Sequence, residues 1–166
     1  MVTIQRLTPD DVDRARALRL RSLRDAPDAY WTTAEEETRT TAAEWRARLT
    51  NPAAVTFVAR LDGTDVGLVF GAPHHDQAGD AGLYGMWVAS EARGTGVGAA
   101  LIDALVGWAR VTGYRHLRLE VADANLPAVR LYERAGFKPT GRAGTLPPPR
   151  EHITEHERLL QLDQGR

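Results

Sequence analysis

A glycine-rich turn in front of a long helical segment constrains this chain most strongly. In "WVASEARGTGVGAALIDALVGWAR", residues 87–110, Arg93 precedes glycines at positions 94, 96 and 98. Apolar side chains then recur with helical spacing from Val97 to position 111, and Gly113 ends the pattern. The free N–H groups and the dipole at a helix start favour an anion, and glycine lets phosphate oxygens reach the backbone. The sequence therefore predicts an anion site, with Arg93 as a charged neighbour.

Several kinds of phosphate site share this appearance. A P-loop needs lysine and then serine or threonine after its last glycine, whereas Ala99 and Ala100 follow here. The stretch "GTGVGA" formally matches a dinucleotide fingerprint, with Glu120 downstream, but "ASEAR" separates the preceding strand from the first glycine. A turn that merely joins a strand to a helix would explain one or two of the glycines, but not three with an arginine.

Composition limits the class of protein. The chain has 166 residues, 43% of them hydrophobic and 26% charged, which predicts a single domain over residues 1–166 with a core over 2–163. A net charge of −1 does not favour nucleic acid or an acidic membrane as a partner. The sequence shows neither a signal peptide nor a long apolar segment, so we expect a cytoplasmic protein. Because the chain contains no cysteine, disulfides and cysteine nucleophiles are excluded.

Strands and helices alternate along the chain. A strand from Val2 to Leu7 precedes a helix that Thr8 caps and that ends near Asp25. Its arginines at positions 14, 16, 19, 21 and 24 are interpreted as a solvated helix face with apolar stems packed down. The stretch "TTAAEWRARL" predicts a capped helix, and "AVTFVAR" and "DVGLVFGAP" form a hairpin through "LDGT". "LYGMWV" gives the next strand, and a final strand is expected from about Thr154 to Leu162.

Four histidines raise the possibility of a metal site. His74 and His75 lie in a polar loop, and His152 and His156 lie beside or within a late strand rather than on a helix face. Neither pair has further ligands that the sequence identifies. We therefore interpret both pairs as surface histidines and predict no metal.

Two linked motifs resemble those of one family. "RGTGVG" resembles the Arg/Gln-x-x-Gly-x-Gly/Ala signature of the GCN5-related N-acetyltransferase (GNAT) family. "LRLEVADANLPAVRLYERAGF", residues 117–137, resembles the second cofactor segment of that family. The resemblance covers nearly all of the chain and is least diagnostic over residues 29–50 and 140–153. It implies a GNAT-like α/β (α+β) domain, with a mixed, mostly antiparallel sheet of about seven strands flanked by about four helices.

The resemblance also implies a site for acetyl-CoA as the acetyl donor, and no metal. In this family a tyrosine hydroxyl lies near the thioester sulfur, a role that falls on Tyr132. The expected cofactor-binding residues are Met86, Trp87, Val88, Arg93, Gly94, Thr95, Gly96, Val97, Gly98, Ala99, Asn125 and Tyr132.

Glu120 is the first candidate for the general base, because strand alternation places it opposite Leu119 at the exit of its strand. With Tyr132 it resembles the Glu and Tyr of the ribosomal-protein alanine acetyltransferase branch. Ala122 stands where that branch usually has a basic residue. This difference weakens the inference that this chain shares the substrate of that branch. Glu36 and Glu37 are alternative acceptor-site carboxylates.

The implied reaction is direct acetyl transfer to a primary amine, with a small molecule as the leading acceptor. A protein N-terminus or lysine is the second acceptor class. A non-catalytic acyl-CoA-binding module is the third hypothesis, against which Glu120 and Tyr132 argue. We expect residues 26–50 and 140–153 to wall the acceptor pocket. Both a monomer and a homodimer fit, because Tyr30, Trp31 and Trp45 suit either a core or an interface.

Overall fold

The computed structural model describes residues 1–162, in which seven strands and five α-helices occur; residues 163–166, included in the predicted domain, lie outside the described range. The strands are β1 (Val2–Arg6), β2 (Val55–Leu61), β3 (Thr64–Pro73), β4 (Ala81–Val88), β5 (His116–Ala122), β6 (Lys138–Thr145) and β7 (Thr154–Gln161). The helices are α1 (Val12–Asp25), α2 (Ala34–Thr38), α3 (Ala42–Thr50), α4 (Val97–Thr112) and α5 (Leu126–Arg134). No helix among residues 1–162 combines the length and apolar character needed to cross a membrane.

All seven strands form one sheet in the order β1-β2-β3-β4-β5-β7-β6. Every neighbouring pair is antiparallel except β4 and β5, which run parallel. The predicted mixed, mostly antiparallel sheet is therefore confirmed. The short helix α2 adds a fifth helix to the expected set of about four, and it lies in the segment that was least diagnostic from sequence.

The predicted start of α1 is confirmed in detail. The Thr8 side chain accepts a hydrogen bond from the Asp10 amide at 3.3 Å, and the Asp11 carboxylate accepts one from the Thr8 amide at 2.8 Å. A capping box therefore satisfies the free N–H groups of a 3₁₀ turn, Pro9–Asp11, that leads into the helix. The end of the helix at Asp25 also matches the sequence pattern.

Helices cover both faces of the sheet. Helix α4 approaches β3 closely at Gly71, where a Cβ atom would lie 2.6 Å from Leu105 Cδ1. On the opposite face the fully buried Trp45 of α3 lies 6.3 Å, ring to ring, from Phe70 of β3. Trp45 and Tyr30 are thus core residues rather than interface residues, whereas Trp31 is half exposed.

The parallel strands β4 and β5 separate soon after they begin. Within the described chain they pair at Ala81 with Leu117 and at Gly82 with Arg118, and not beyond. The pairing of β3 with β4 also shifts register between Leu68 and Phe70, so that residues 85 and 86 of β4 bulge out of the ladder. The backbone of β4 from residue 83 onward therefore faces a gap in the sheet instead of β5.

Candidate active site

A cleft of about 1190 Å³ opens where β4 and β5 separate. One wall consists of the glycine turn, the start of α4 and helix α5, and we call it the donor wall. The opposite wall consists of Arg19, residues 26–32, Glu120 and Glu155, and we call it the acceptor wall. The bulged part of β4, residues 83–88, lies between the two walls.

The three glycines of the turn serve different purposes. Gly94 and Gly96 have φ values of +78° and +89°, and a Cβ atom on either would meet no heavy atom within 4 Å. Their backbone therefore lies open at the start of α4, where Gly96 is the N-cap in the left-handed conformation. At Gly98 a Cβ atom would lie 2.8 Å from Leu131 Cδ2, so this glycine allows α4 and α5 to pack closely.

The side chains of the turn do not all face the cleft, although the motif alone would suggest that they do. The Arg93 side chain is 57% exposed; its Nη2 lies 3.6 Å from an Asp25 carboxylate oxygen, and its Nε donates to the Val88 carbonyl at 3.4 Å. Val97, Gly98 and Ala99 line the cleft with Arg93. The Thr95 side chain turns away, because its hydroxyl donates to the Ala92 carbonyl within the turn.

Aromatic side chains fix the bulge of β4. The buried Tyr30 hydroxyl donates to the Met86 carbonyl at 2.8 Å, and the Trp87 indole donates to Asp25 at 2.9 Å. Met86, Trp87 and Val88 all line the cleft. Tyr30 follows α1 in a segment without sequence periodicity, so its contact with β4 could not be read from the sequence.

Helix α5 places Tyr132 against the donor wall. Asn125 caps the helix by accepting a hydrogen bond from the Ala128 amide at 3.4 Å, as its position in the sequence predicts. The Tyr132 ring is buried with its edge toward Phe137, at a centroid distance of 5.8 Å, and the residue lines the cleft. Its hydroxyl forms no hydrogen bond with residues 1–162. Burial, and then the nearby Tyr30, raises the pKa of Tyr132, so the phenol stays protonated at neutral pH.

Glu120 reaches the cleft from β5. It pairs in register with Glu157 of β7 and lies where the cleft meets a smaller pocket of about 220 Å³. Partial burial raises the pKa of Glu120, against the opposing influence of His75. Tyr132 and Glu120 thus line the same cleft, as the resemblance implies.

Glu155 and Trp31 complete the acceptor wall, and sequence analysis missed both roles. The buried Glu155 carboxylate accepts a hydrogen bond from the Trp31 indole at 2.7 Å. Burial raises the pKa of Glu155. Arg150 donates to the carbonyls of Pro27 and Trp31 at 2.6 and 2.8 Å, which ties the loop before β7 to the segment after α1. The alternating pattern of β7 was the one available signal, because it places Glu155 and Glu157 on the same face.

The structure does not bring Glu36 and Glu37 to the cleft. Glu36 is exposed on α2, and the buried Glu37 carboxylate accepts from Arg48 at 2.8 Å. Of the two segments expected to wall the acceptor pocket, residues 26–32 and Ile153 line the cleft, and residues 142–145 line the smaller pocket. The remainder of residues 33–50 packs as α2 and α3 outside it.

The interpretation of both histidine pairs as surface residues is wrong for His74, whose side chain is only 4% exposed. Its Nδ1 accepts from the backbone amides of Asp76 and Gln77 at 3.3 and 3.2 Å, because the loop folds back over the ring. Ligand atoms of His74, His75 and Asp76 lie within 4.8 Å of one another, a grouping that the sequence did not reveal. The absence of a metal stays a prediction. His156 is 51% exposed and contacts Asp123.

Comparison with known proteins identifies the family. The family model for the acetyltransferase (GNAT) family matches residues 20–137, and the chain belongs to this family. It is 36% identical over 125 residues to the mycothiol acetyltransferase of Thermobispora bispora, an alignment that covers 73% of this chain and 41% of that protein. The curated relatives that the chain matches are longer, and the aligned region spans 25% to 55% of their length.

Solved structures share the fold. The structure of yncA from Salmonella typhimurium with its cofactor acetyl-CoA superposes with a TM-score of 0.77 at 20% identity, over 100% of this chain and 96% of that one. The ribosomal-protein-alanine N-acetyltransferase from Brucella melitensis gives a TM-score of 0.75 at 25% identity, over 96% of this chain and 99% of that one. The GNAT-like architecture is therefore confirmed.

Proposed function

We propose that this protein is an N-acetyltransferase that moves the acetyl group of acetyl-CoA directly to a primary amine of a small molecule in a ternary complex. One observation carries the proposal. The separation of β4 from β5 brings the open glycine turn, the Tyr132 hydroxyl and the Glu120 carboxylate into one cleft. An anion site, a proton donor and a proton acceptor around an exposed strand edge are the parts that acyl transfer to an amine requires.

The donor wall suits the diphosphate of coenzyme A. Gly94 and Gly96 leave the space in front of the α4 amides open, and Arg93 adds a largely exposed guanidinium beside it. Phosphate oxygens gain both hydrogen bonds and dipole stabilisation at such a helix start. The free edge of β4 then offers main-chain groups along which the pantetheine arm can lie as if it were a strand.

Starting from an ammonium, the acceptor nitrogen must lose two protons, and the departing thiolate must gain one. The acceptor ammonium has no lone pair, so Glu120 takes a proton from it, directly or through water. The amine nitrogen bonds to the acyl carbon while amides of Met86–Val88 stabilise the developing oxyanion. The carbon–sulfur bond breaks, and the Tyr132 hydroxyl donates its proton to the departing thiolate. The nitrogen then passes its second proton through water to the tyrosinate, which restores Tyr132 and leaves a neutral amide, and Glu120 releases its proton to solvent.

Charge on the acceptor wall supports a cationic acceptor. Glu157 is neutralised by Arg118, whose Nη1 donates to it at 3.0 Å. Glu120 and Glu155, in contrast, form no ion pair with any residue from 1 to 162. Burial raises the pKa of Glu120, while His75 and Arg142 lower it without pairing with the carboxylate, and carboxylates outside any ion pair favour a positively charged amine. Arg150 ties the loop before β7 to residues 27 and 31 beside the cleft, and we expect this side to take a small molecule rather than a protein tail.

Thiol release from acetyl-CoA across a panel of primary amines tests the proposal. The assay has no background from the protein, because the chain contains no cysteine. We expect amine-dependent thiol release, with the acetylated amine identified by mass spectrometry. Tight binding of acetyl-CoA without release for any amine would support the acyl-CoA-binding module instead, and release only with peptides would support a protein acceptor.

A further inference from the structure

Arg19 of α1 departs from the solvated helix face that was predicted for the arginines of this helix. Its guanidinium lies over the ring of Tyr30, with Cζ 4.7 Å from the centroid, and 5.6 Å from that of Phe70. The Nη1 atom is buried without a hydrogen-bond partner, and the residue lines the cleft. Arg14 and Arg21 of the same helix instead bond to Asp65 and Glu91 at 2.7 Å.

A buried guanidinium is ordinarily paired with a carboxylate, because removing its charge from water is unfavourable. The acid whose charge acts on Arg19 is Glu37, and it is already engaged, because it accepts from Arg48 at 2.8 Å. Among residues 1–162 Arg19 forms no ion pair. Aromatic stacking holds the side chain in place but satisfies none of its donors. The site therefore retains an uncompensated positive charge beside the cleft.

We propose that Arg19 binds a carboxylate of the acceptor, so that the substrates are amines that also carry a carboxylate group. The inference rests on the proposed function and specifies the acceptor class for the same cleft. Arginine suits this role because its planar donors match the two oxygens of a carboxylate.

The position of Arg19 fits such a substrate. Its Nη1 lies 3.0 Å from the point where a Cβ atom of Gly85 would stand, directly before the β4 residues Met86–Val88. Tyr30 links the two features, since its ring stacks on Arg19 and its hydroxyl bonds the Met86 carbonyl. Glu120 lines the same cleft from β5. The cleft thus offers both a guanidinium and a carboxylate to an acceptor, which is complementary to a short zwitterion.

The test compares common amino acids, β-alanine and γ-aminobutyrate with their carboxamides, and includes simple diamines. Each carboxamide keeps the amine but removes the negative charge. For the preferred amino acid we expect kcat/KM to exceed that of its carboxamide by about tenfold or more. In Arg19→Met, which retains an apolar side chain against Tyr30 and Phe70, the preference should disappear through a higher KM. The matched control is Arg24→Met, at an exposed position on the same helix.

A second measurement separates this inference from the proposed function. Calorimetry of the CoA-bound protein should show that the preferred amino acid binds at least about tenfold more weakly to Arg19→Met, while acetyl-CoA binds both proteins equally. If amino acids and their carboxamides are acetylated equally well, or if Arg19→Met keeps the preference for the acid, the carboxylate site is disproved. The proposed acetyltransferase activity would still stand. Turnover of diamines with none of the amino acids would likewise disprove the carboxylate site. Absence of turnover with every amine contradicts the proposed function as well.

Discussion

The two walls of the cleft are built in different ways. The donor wall uses backbone: two glycines in the left-handed region expose the start of α4, and a third lets α5 approach to within packing distance. The acceptor wall uses side chains that come from α1, the segment after it, β5 and β7. One wall is thus built from residues that are close in sequence, and the other is assembled by the tertiary fold.

This difference determines how well each wall tolerates amino-acid substitutions. A backbone anion site tolerates few substitutions, since almost any side chain in front of the amides blocks the ligand. Side chains on the acceptor wall can be replaced singly without disturbing the donor wall. We therefore expect defects in the donor wall to abolish donor binding for every acceptor, and defects in the acceptor wall to change substrate preference.

Replacing Gly96 should have the largest effect. In Gly96→Val the side chain stands before the α4 amides, and loss of about two charge-assisted hydrogen bonds weakens acetyl-CoA binding by about 3 kcal/mol, or about a hundredfold in Kd. The matched control is Gly113→Val at the other end of α4, where φ is +95° and a Cβ atom also meets nothing within 4 Å. In both variants backbone strain should lower the free energy of unfolding by about 1–2 kcal/mol. Urea unfolding measures this shared loss of stability, and calorimetry measures the loss of acetyl-CoA affinity that we expect in Gly96→Val alone. Equal acetyl-CoA affinity in the two variants would place the diphosphate elsewhere.

The same contrast explains what the sequence could predict. The glycine turn, the Asn125 cap and the position of Tyr132 on α5 follow from local rules, so these features were recognised and correctly located. The fold class followed from the resemblance of the two linked motifs to one family. The helical periodicity of α4 was wrong at the end of the helix. Val111 completes the apolar pattern, yet it is 90% exposed.

The acceptor wall was not readable for a physical reason. Trp31, Arg19 and Glu155 line one cleft only because α1, the segment after it and β7 fold together, and none of these residues has a sequence neighbour that marks it. The run of glutamates from Glu35 to Glu37 gave a stronger local signal, yet its buried member pairs with Arg48 outside the cleft. Strand β6 also escaped prediction, because its residues are exposed throughout and show no alternation.

Tyr132→Phe should have the second largest effect. The ring contact with Phe137 remains and no internal hydrogen bond is lost, so folding and acetyl-CoA affinity should stay unchanged. Without the proton donor for the thiolate, kcat should fall by about tenfold to a hundredfold. Steady-state kinetics and calorimetry check both expectations, with Tyr114→Phe as a control whose hydroxyl bonds the Ala53 carbonyl outside the cleft. An unchanged kcat would remove Tyr132 from the chemistry.

Glu120→Gln should have a smaller effect at neutral pH, about tenfold in kcat/KM, because Glu120 is exposed enough for water to replace it as a base. The pH profile is the sharper measurement. A neutral carboxyl group accepts no proton, so the wild-type rate should fall as pH decreases through the pKa of Glu120, which lies above the ordinary glutamate value. In Glu120→Gln the levelling of the rate above that pKa should be lost, and the rate should follow the free-base fraction of the acceptor, rising about tenfold per pH unit through neutral pH. An identical profile in both proteins would exclude Glu120 as the base.

Glu155→Gln should have the smallest effect and should act on the acceptor alone. Glutamine retains an oxygen for the Trp31 indole but removes the charge, so KM for a cationic amine should rise about threefold to fivefold while kcat and acetyl-CoA affinity stay constant. Because burial raises the pKa of Glu155, its ionisation opposes folding, and the free energy of unfolding at neutral pH should be equal or higher in the variant. Glu151→Gln, at an exposed position before β7, is the control for a general change of charge. A lower stability with unchanged KM would make Glu155 a structural residue and remove it from the acceptor wall.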